Sequence, residues 1–283
     1  MADSIDAQFG PEHCVWHLAS TTTGPDEAVA VELEKSAGRA QLRGGIAAAA
    51  ACLQRATELT SDLARWGLRA LAAAQAKYQA GAFDVARELV DAAELSRLDD
   101  VRSAQAVLLR GQIMSVSQSA SAGLPLLLKA AERLQSFDAK LARETYRDAL
   151  YAALTAGRLA AGGVRDVAEA VLNAPSLTHP ATREDLLLQG VARVITEGYA
   201  AGAPVLMEAV VAFRTEEVAP EDGLGWLPLV CRMAHTTWDF DAWSELSARL
   251  VDMGRDTGAL AFLPSSLLLR LIRFTQRGTW SRP

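Results

Sequence analysis

The sequence feature that most constrains the fold is a short pattern of small and bulky apolar residues that recurs along the chain. In its first copies a glycine is followed by a small residue, then a bulky residue four places on, then alanine three places after that. Gly44, Ala49, Leu53 and Ala56 form one copy, and Gly81, Phe83, Ala86, Val90 and Ala93 form the next, about 37 residues later. Gly123, Leu127 and Ala130, and then Gly202, Leu206 and Ala209, fill the last three places of further copies. A period of about 37 to 40 residues, with a glycine turn between two helices, is typical of an α-solenoid.

The sizes of the repeated residues explain why such units stack. Ala49 or Ala86 lets the second helix of a pair lie close to the first, and Leu53 or Val90 fills the groove towards the next pair. Hydrophobic residues make up 50% of the chain and aromatic residues only 6%, which favours helices over strands. We therefore predict an all-α fold, an α-solenoid of tetratricopeptide-like antiparallel helix pairs. Its first helices depart from the tetratricopeptide consensus, because they lack the Trp-Leu-Gly signature.

Apolar periodicity and proline positions divide the chain into elements. They predict helices over 12–22, 26–42, 44–58, 62–80, 82–95, 99–117, 122–135, 139–157, 164–173, 181–199, 203–215, 225–238, 240–257 and 260–277. The first turn of a helix tolerates proline, and we expect Pro125, Pro204, Pro228 and Pro264 in that position. The expected domains are a disordered N-terminus over 1–10, an N-terminal helical segment over 11–60, tetratricopeptide-like repeats over 61–277 and a truncated tail over 278–283.

Charge and cysteine usage predict a cytoplasmic protein without direct contact to nucleic acid or membrane. The net charge is −6 and the pI is about 5.3, so the surface does not attract a phosphate backbone. Cys14, Cys52 and Cys231 are too far apart in the sequence to form a paired motif, which indicates reduced thiols. The N-terminus has neither the basic region nor the apolar core of a signal peptide. No apolar run is long enough to cross a bilayer.

No motif for catalysis or cofactor binding occurs in the sequence. The P-loop consensus, the His-Glu-x-x-His zinc motif, the Cys-x-x-Cys pair and the Gly-x-Ser-x-Gly elbow are all absent. Glu12, His13, Cys14 and His17 form the densest cluster of ligand-type residues, and the two histidines would share a helix face. No distal pair of Cys or His completes four zinc ligands, so histidines at a helix edge are the favoured interpretation. We predict no catalytic residue, no cofactor, no metal site and no enzymatic activity.

Two acidic pairs occur near predicted helix boundaries. Asp99 and Asp100 are expected to open a helix, where negative charge is favoured by capping and by the helix dipole. Glu216 and Glu217 lead into a predicted loop and are expected to be solvated. Adjacent carboxylates can serve general acid/base chemistry, but adjacency in sequence alone does not indicate a shared cleft. Capping is therefore the favoured role.

A basic stripe follows the last acidic residue, Asp256. Arg270, Arg273 and Arg277 fall on one side of the last predicted helix. This stripe could contact nucleic acid or an acidic partner. The alternative is the solvated face of an ordinary repeat helix, and we favour this second interpretation because three arginines without a docking motif are a weak signal.

Several stretches resemble the middle of large LuxR-family bacterial transcriptional regulators of the MalT-like type. They are Trp16-His17-Leu18-Ala19, Arg43-Gly44-Gly45, Leu53-Gln54-Arg55-Ala56-Thr57-Glu58-Leu59-Thr60, Leu141-Ala142-Arg143-Glu144-Thr145-Tyr146, Gly157-Arg158-Leu159-Ala160 and Glu197-Gly198-Tyr199-Ala200-Ala201-Gly202. The resemblance extends over about 12–275 and consists of structural repeat residues. It implies a helical-repeat region that senses an inducer or a partner protein and relays this to an ATPase module. Neither the P-loop nor the helix-turn-helix of such regulators occurs here, so no ATPase or DNA-contact residue carries over.

Three functions remain open at this point. The first is the sensing or protein-interaction repeat region of a LuxR-type regulator, a fragment in which DNA is reached only through a helix-turn-helix that is missing here. The second is a free-standing tetratricopeptide-like adaptor that binds a protein partner. The third, the least favoured, is a helical enzyme whose site the sequence does not show. We expect a protein partner or small-molecule inducer on the solenoid surface, and self-association through an open C-terminal repeat.

Overall fold

The computed structural model describes residues 11–160, 163–174, 181–259, 264 and 266–271, and every regular element in these residues is helical. The helices are α1 (Pro11–Thr21), α2 (Glu27–Leu42), α3 (Ile46–Glu58), α4 (Leu63–Gln79), α5 (Phe83–Glu94), α6 (Asp100–Ser117), α7 (Ala120–Leu134), α8 (Ala139–Ala156), α9 (Gly163–Asn173), α10 (Arg183–Thr196), α11 (Tyr199–Thr215), α12 (Pro220–Thr236) and α13 (Phe240–Thr257). A 3-10 turn, Gly157–Ala160, follows α8. The prediction of an all-α fold is confirmed.

The chain forms two compact units. Unit 1 comprises 1–109 with 257–261, and unit 2 comprises 110–256 with 262–283. In unit 1, α1 packs on α2, α2 on α3, α3 on α4 and α4 on α5. In unit 2, α7 packs on α8, α9 on α10, and α10 on α11, while α12 contacts both α11 and α8. Sequential packing of this kind lets each helix bury its apolar face against its neighbour.

The repeated positions identified in the sequence lie mainly in these cores. Ala49, Ala56, Ala86, Val90, Ala93, Gly123, Leu127, Ala130, Gly202, Leu206 and Ala209 are buried, and Leu53 and Phe83 are partly exposed. The turn glycines Gly44 and Gly81 have φ values of 75° and 80°. Glycine adopts this left-handed conformation without the Cβ clash that other residues meet, so each helix pair can turn sharply.

Two helix crossings in unit 2 depend on glycine. A Cβ on Gly123 of α7 would lie 2.3 Å from the carbonyl oxygen of Gly111 in α6. A Cβ on Gly202 of α11 would lie 2.7 Å from the carbonyl oxygen of Gly190 in α10. Gly111 and Gly190 are separated by the same interval, about 79 residues, as Gly123 and Gly202. The duplication therefore covers both helices of the pair and reproduces the backbone contact between them.

The expectation that three prolines begin helices is wrong. Pro125, Pro204 and Pro228 lie inside α7, α11 and α12, because each helix starts earlier than predicted. The Ser119 hydroxyl accepts a hydrogen bond from the Ala122 amide and caps α7 a full turn before Pro125. Pro220 occupies the first turn of α12 instead of Pro228.

Candidate functional site

Arg69 on α4 forms the centre of a charge cluster in unit 1. Its Nη1 donates to Glu27 Oε2 at 2.8 Å and to Thr60 Oγ1 at 2.5 Å. Its Nη2 donates to Glu27 Oε1 and to Glu34 Oε2, both at 2.8 Å. Arg65 donates to Glu27 as well, at 2.9 Å. The Arg69 side chain is only 6% exposed. Through its hydrogen bonds this buried side chain joins α4 to α2 and to the segment that follows α3.

Within the cluster, Glu27 and Arg69 stay ionised over a wide pH range. The hydrogen bond from Arg69 is the main reason that the pKa of Glu27 falls from 4.5 to about 2, and the pairing with Arg65 adds to it. The same hydrogen bond with Glu27 raises the pKa of Arg69 above its usual value. A carboxylate held this firmly by a guanidinium is a poor proton acceptor at neutral pH, so Glu27 is not a suitable general base.

A second polar cluster lies on α8 in unit 2. We use the term α8 face for Lys140, Glu144, Arg147, Asp148 and Tyr151, which follow one another at helical spacing. Arg147 Nη2 lies 2.7 Å from Asp148 Oδ1. Gln112 on α6 donates from Nε2 to Asp148 Oδ2 at 2.7 Å. The α8 face therefore contains a carboxylate that is contacted on both oxygens.

The α8 face packs against α12. The Arg147 guanidinium lies 4.9 Å from the centre of the Trp226 ring, which is the distance of a cation–π contact. A Cβ on Gly225 would lie 2.3 Å from Arg147 Nη1, so the glycine makes room for the guanidinium. Two turns before Arg147 on α8, Lys140 Nζ lies 3.9 Å from Glu144 and 4.0 Å from Asp222 of α12. Charge and aromatic contacts thus join α8 to α12.

Burial shifts the pKa of several groups near this face. It raises the pKa of Glu144, against the opposing effect of Arg147, and it raises the pKa of Tyr151. Burial also lowers the pKa of Arg232, which donates to the Leu154 carbonyl at 2.6 Å. These shifts have a structural explanation, since the groups lie between packed helices, and they do not by themselves indicate a reactive site.

Each cluster has a carboxylate that is held by a guanidinium group: Arg69 pairs with Glu27, and Arg147 pairs with Asp148. Sequence reasoning missed both clusters, because Arg69 and Glu27 lie 42 positions apart and meet only through helix packing. The repeat gives one indication of the α8–α12 contact. Arg147 and Trp226 lie about 79 positions apart, so they occupy equivalent positions on α8 and α12.

A surface groove is present in unit 1 beside α4 and α5. Its volume is about 330 Å³, and its lining residues are Thr60, Ser61, Leu63, Trp66, Ala92, Leu95 and Ser96. Leu95 is 88% exposed, and Leu63 is also exposed. Exposed apolar side chains grouped around a groove with polar edges are typical of protein or ligand contact surfaces.

The structure describes only some of the ligand-type and basic residues that the sequence singled out. His17 is exposed on α1, while the side chains of Glu12, His13 and Cys14 are outside the described residues. Arg270 is partly buried, and Arg273 and Arg277 lie outside the described residues.

The two acidic pairs have different outcomes. Asp99 Oδ1 accepts a hydrogen bond from the Arg102 amide at 2.7 Å, which confirms its capping role at α6. Glu216 is not simply solvated, because its Oε2 accepts a hydrogen bond from Arg183 at 3.2 Å.

Two further observations concern the residues that the structure describes. They contain no group of three or more His, Cys, Asp or Glu side chains arranged to hold a metal ion. Within the same residues, no helix has the length and apolar character needed to pass through a membrane. Comparisons of the chain with protein-family models, with curated proteins and with solved structures gave no significant match.

Proposed function

We propose that this chain is a helical-repeat binding module that senses a protein partner or a small-molecule inducer, as the middle region of a LuxR-type transcriptional regulator does. The observation that carries the proposal is the duplicated helix pair, in which Gly111 and Gly123 recur as Gly190 and Gly202 with the same close backbone contact. Stacked copies of one helix pair form an extended surface for binding, and this is the general use of α-solenoid proteins.

The groove beside α4 and α5 supports a protein partner as the occupant. Its exposed walls are largely apolar, with Leu63, Trp66 and Leu95 beside the hydroxyl groups of Ser61 and Ser96. A volume of about 330 Å³ is at the small end of the range for ligand pockets and suits one or two apolar side chains of a peptide segment. We propose that an apolar segment of the partner binds there.

The binding module has no catalytic or DNA-binding role of its own in this proposal. The net charge of −6 disfavours contact with a phosphate backbone, and no P-loop is present to hold ATP. The purified chain is therefore expected neither to hydrolyse ATP nor to retain DNA. Specific DNA binding or measurable ATP hydrolysis would contradict the proposal.

A pair of matched variants tests the groove. Leu95→Glu places a charge at the groove, and Leu42→Glu places the same charge at a leucine that is 90% exposed at the end of α2. Both side chains are solvated, so we expect similar melting temperatures for the two variants. A partner that the wild-type chain captures from a bacterial extract, identified by mass spectrometry, should be lost with Leu95→Glu and retained with Leu42→Glu. Equal capture by both variants would exclude the groove as the binding surface.

A free-standing adaptor is the second candidate function, and the same groove would serve it. Genomic context separates the two candidates. A neighbouring reading frame that encodes a LuxR-type helix-turn-helix favours the regulator, whereas a captured partner unrelated to transcription favours the adaptor.

A further inference from the structure

The turn between α12 and α13 has a tryptophan, Trp238, in a backbone conformation with positive φ that glycine adopts in two earlier turns. Gly44, Gly81 and Trp238 precede α3, α5 and α13 with φ values of 75°, 80° and 62°. In all three turns this residue donates to the carbonyl three residues before it, and the next residue donates to the carbonyl five residues before itself. Trp238 therefore occupies the place of the turn glycine, although a bulky side chain is strained at positive φ.

The strain is not offset by burial of the indole. Trp238 is 71% exposed, and its one described ring neighbour is Phe240, which is 41% exposed itself. The two ring centres lie 5.7 Å apart with the planes at 82°. Beneath Phe240 lies Trp243, which is almost fully buried and also contacts the ring of His235. The buried Trp243 thus supports the exposed rings of Phe240 and Trp238. Packing alone does not explain why these two rings are exposed to solvent.

The surroundings of this aromatic pair are acidic. Residues 235–245 contain three carboxylates, Asp239, Asp241 and Glu245, and no lysine or arginine. Asp239 caps α13 by accepting a hydrogen bond from the Ala242 amide at 2.9 Å. Glu245 pairs with Arg214 of α11 at 2.7 Å. The pairing with Glu245, and then the charges of Asp239 and Asp241, raise the pKa of Arg214 above its usual value.

We propose that the Trp238–Phe240 pair binds an arginine or lysine side chain of a partner protein. The faces of aromatic rings attract cations, tryptophan most strongly, and neighbouring carboxylates strengthen the attraction. Tryptophan is also among the residues that most often dominate the binding energy of protein interfaces. This inference rests on the proposed function as a protein-binding module and adds the chemistry of the partner.

The test uses the full chain and a defined probe. A fluorescein-labelled peptide of alternating glycine and arginine is titrated with the chain and followed by fluorescence anisotropy. The control peptide carries citrulline in place of arginine, which keeps the shape and removes the charge. Binding of the arginine peptide that exceeds binding of the citrulline peptide is expected, and equal binding, or no binding at millimolar chain, would overturn the proposal.

Trp238→Gly separates binding from folding. The turn already has the geometry that glycine prefers, so the variant is expected to melt at the wild-type temperature or about 2 °C higher. Its affinity for the arginine peptide is expected to fall about tenfold. Phe137→Ala is the matched control, since Phe137 is 52% exposed and also precedes an aspartate that caps a helix, Asp138 of α8. This control should bind as wild type does.

A double variant tests the acidic rim without disturbing the turn. Asp239→Asn with Asp241→Asn removes two charges, and asparagine remains a good helix cap. The variant is expected to weaken binding of the arginine peptide about fivefold. A lower melting temperature of Trp238→Gly with unchanged peptide affinity would assign Trp238 to structure and refute the proposal. A partner pull-down that fails leaves this titration unaffected, so the two proposals fail separately.

Discussion

At the residue scale, two arginines with largely buried side chains, Arg69 and Arg147, make contacts that join helices within each unit. Arg69 is shared by two carboxylates and a hydroxyl, and Arg147 lies between a carboxylate and an indole ring. Each arginine connects helices that are distant in sequence. Truncating one partner of such a pair leaves a buried charge with fewer contacts, which costs more free energy than the intact pair contributes.

Glu27 gives this idea a pH-dependent test. Its pKa is lowered to about 2 in the folded chain, so ionised Glu27 stabilises the fold above a pH of about 4.5, and that contribution is lost as the pH falls towards 2. Glu27→Gln is therefore expected to lower the melting temperature most at neutral pH, and the difference from wild type should vanish near pH 2. Melting by circular dichroism at neutral, mildly acidic and strongly acidic pH measures this difference.

The control for this experiment is Glu88→Gln, which changes an exposed glutamate on α5. It should follow the wild-type curve at every pH. A Glu27→Gln variant whose difference from wild type stays constant between neutral and strongly acidic pH would show that the Arg69 pairing does not contribute to stability.

At the element scale, glycine sets the distance between paired helices. A Cβ on Gly123 or Gly202 would meet backbone atoms of the facing helix, and backbone atoms cannot move aside as the end of a flexible side chain can. The helix pair would have to separate and would lose contact around Leu127 and Leu206. The repeat therefore depends on these glycines for close packing and not for turn formation.

Alanine substitutions test the crossings. Gly123→Ala and Gly202→Ala are each expected to lower the free energy of unfolding by about 2 to 3 kcal/mol, because the added methyl overfills the crossing. Gly38→Ala is the control, since Gly38 lies exposed in α2 with no atom within 4 Å of the added Cβ. There alanine should stabilise by up to about 1 kcal/mol through its better helix propensity. Urea denaturation compares the three variants, and a stable Gly202→Ala would contradict the packing argument.

The helices were largely predictable from the sequence, whereas their contacts were not. Predicted and observed bounds agree closely for α2, α4, α5, α8 and α13, because apolar periodicity and capping residues act locally. For α7, α11 and α12 the sequence predicts starts that are too late, because it places a proline in the first turn, whereas each helix begins before that proline's turn. The Arg69 cluster and the α8 face depend on which helices meet, and a single sequence carries little information about that. The equivalence of Gly111 and Gly190 is predictable from the sequence, because both lie at the offset of about 79 residues that relates Gly123 to Gly202.

At the scale of the whole molecule, helices pack mainly on their neighbours in sequence within each unit. Among the helix contacts described above, the α8–α12 contact in unit 2 has the largest separation along the sequence, and it joins Arg147 to Trp226. Local contacts close small loops and form early in folding, whereas a contact across several helices must pay a larger loop-closure entropy first. The order in which contacts form should therefore follow their separation along the chain.

Folding kinetics can separate these two classes of contact. Trp226→Leu weakens the packing of α12 on Arg147 of α8 and on Phe213 of α11, and Leu206→Ala weakens the contact between the neighbouring helices α10 and α11. Both side chains are buried, so each variant is expected to lose about 2 to 4 kcal/mol of stability. Trp226→Leu should speed unfolding more than tenfold while changing the folding rate less than about twofold, because its contacts form after the transition state. Leu206→Ala should slow folding clearly. Stopped-flow circular dichroism in urea measures both rates, and a Trp226→Leu variant that folds as slowly as Leu206→Ala would show that α12 docks early.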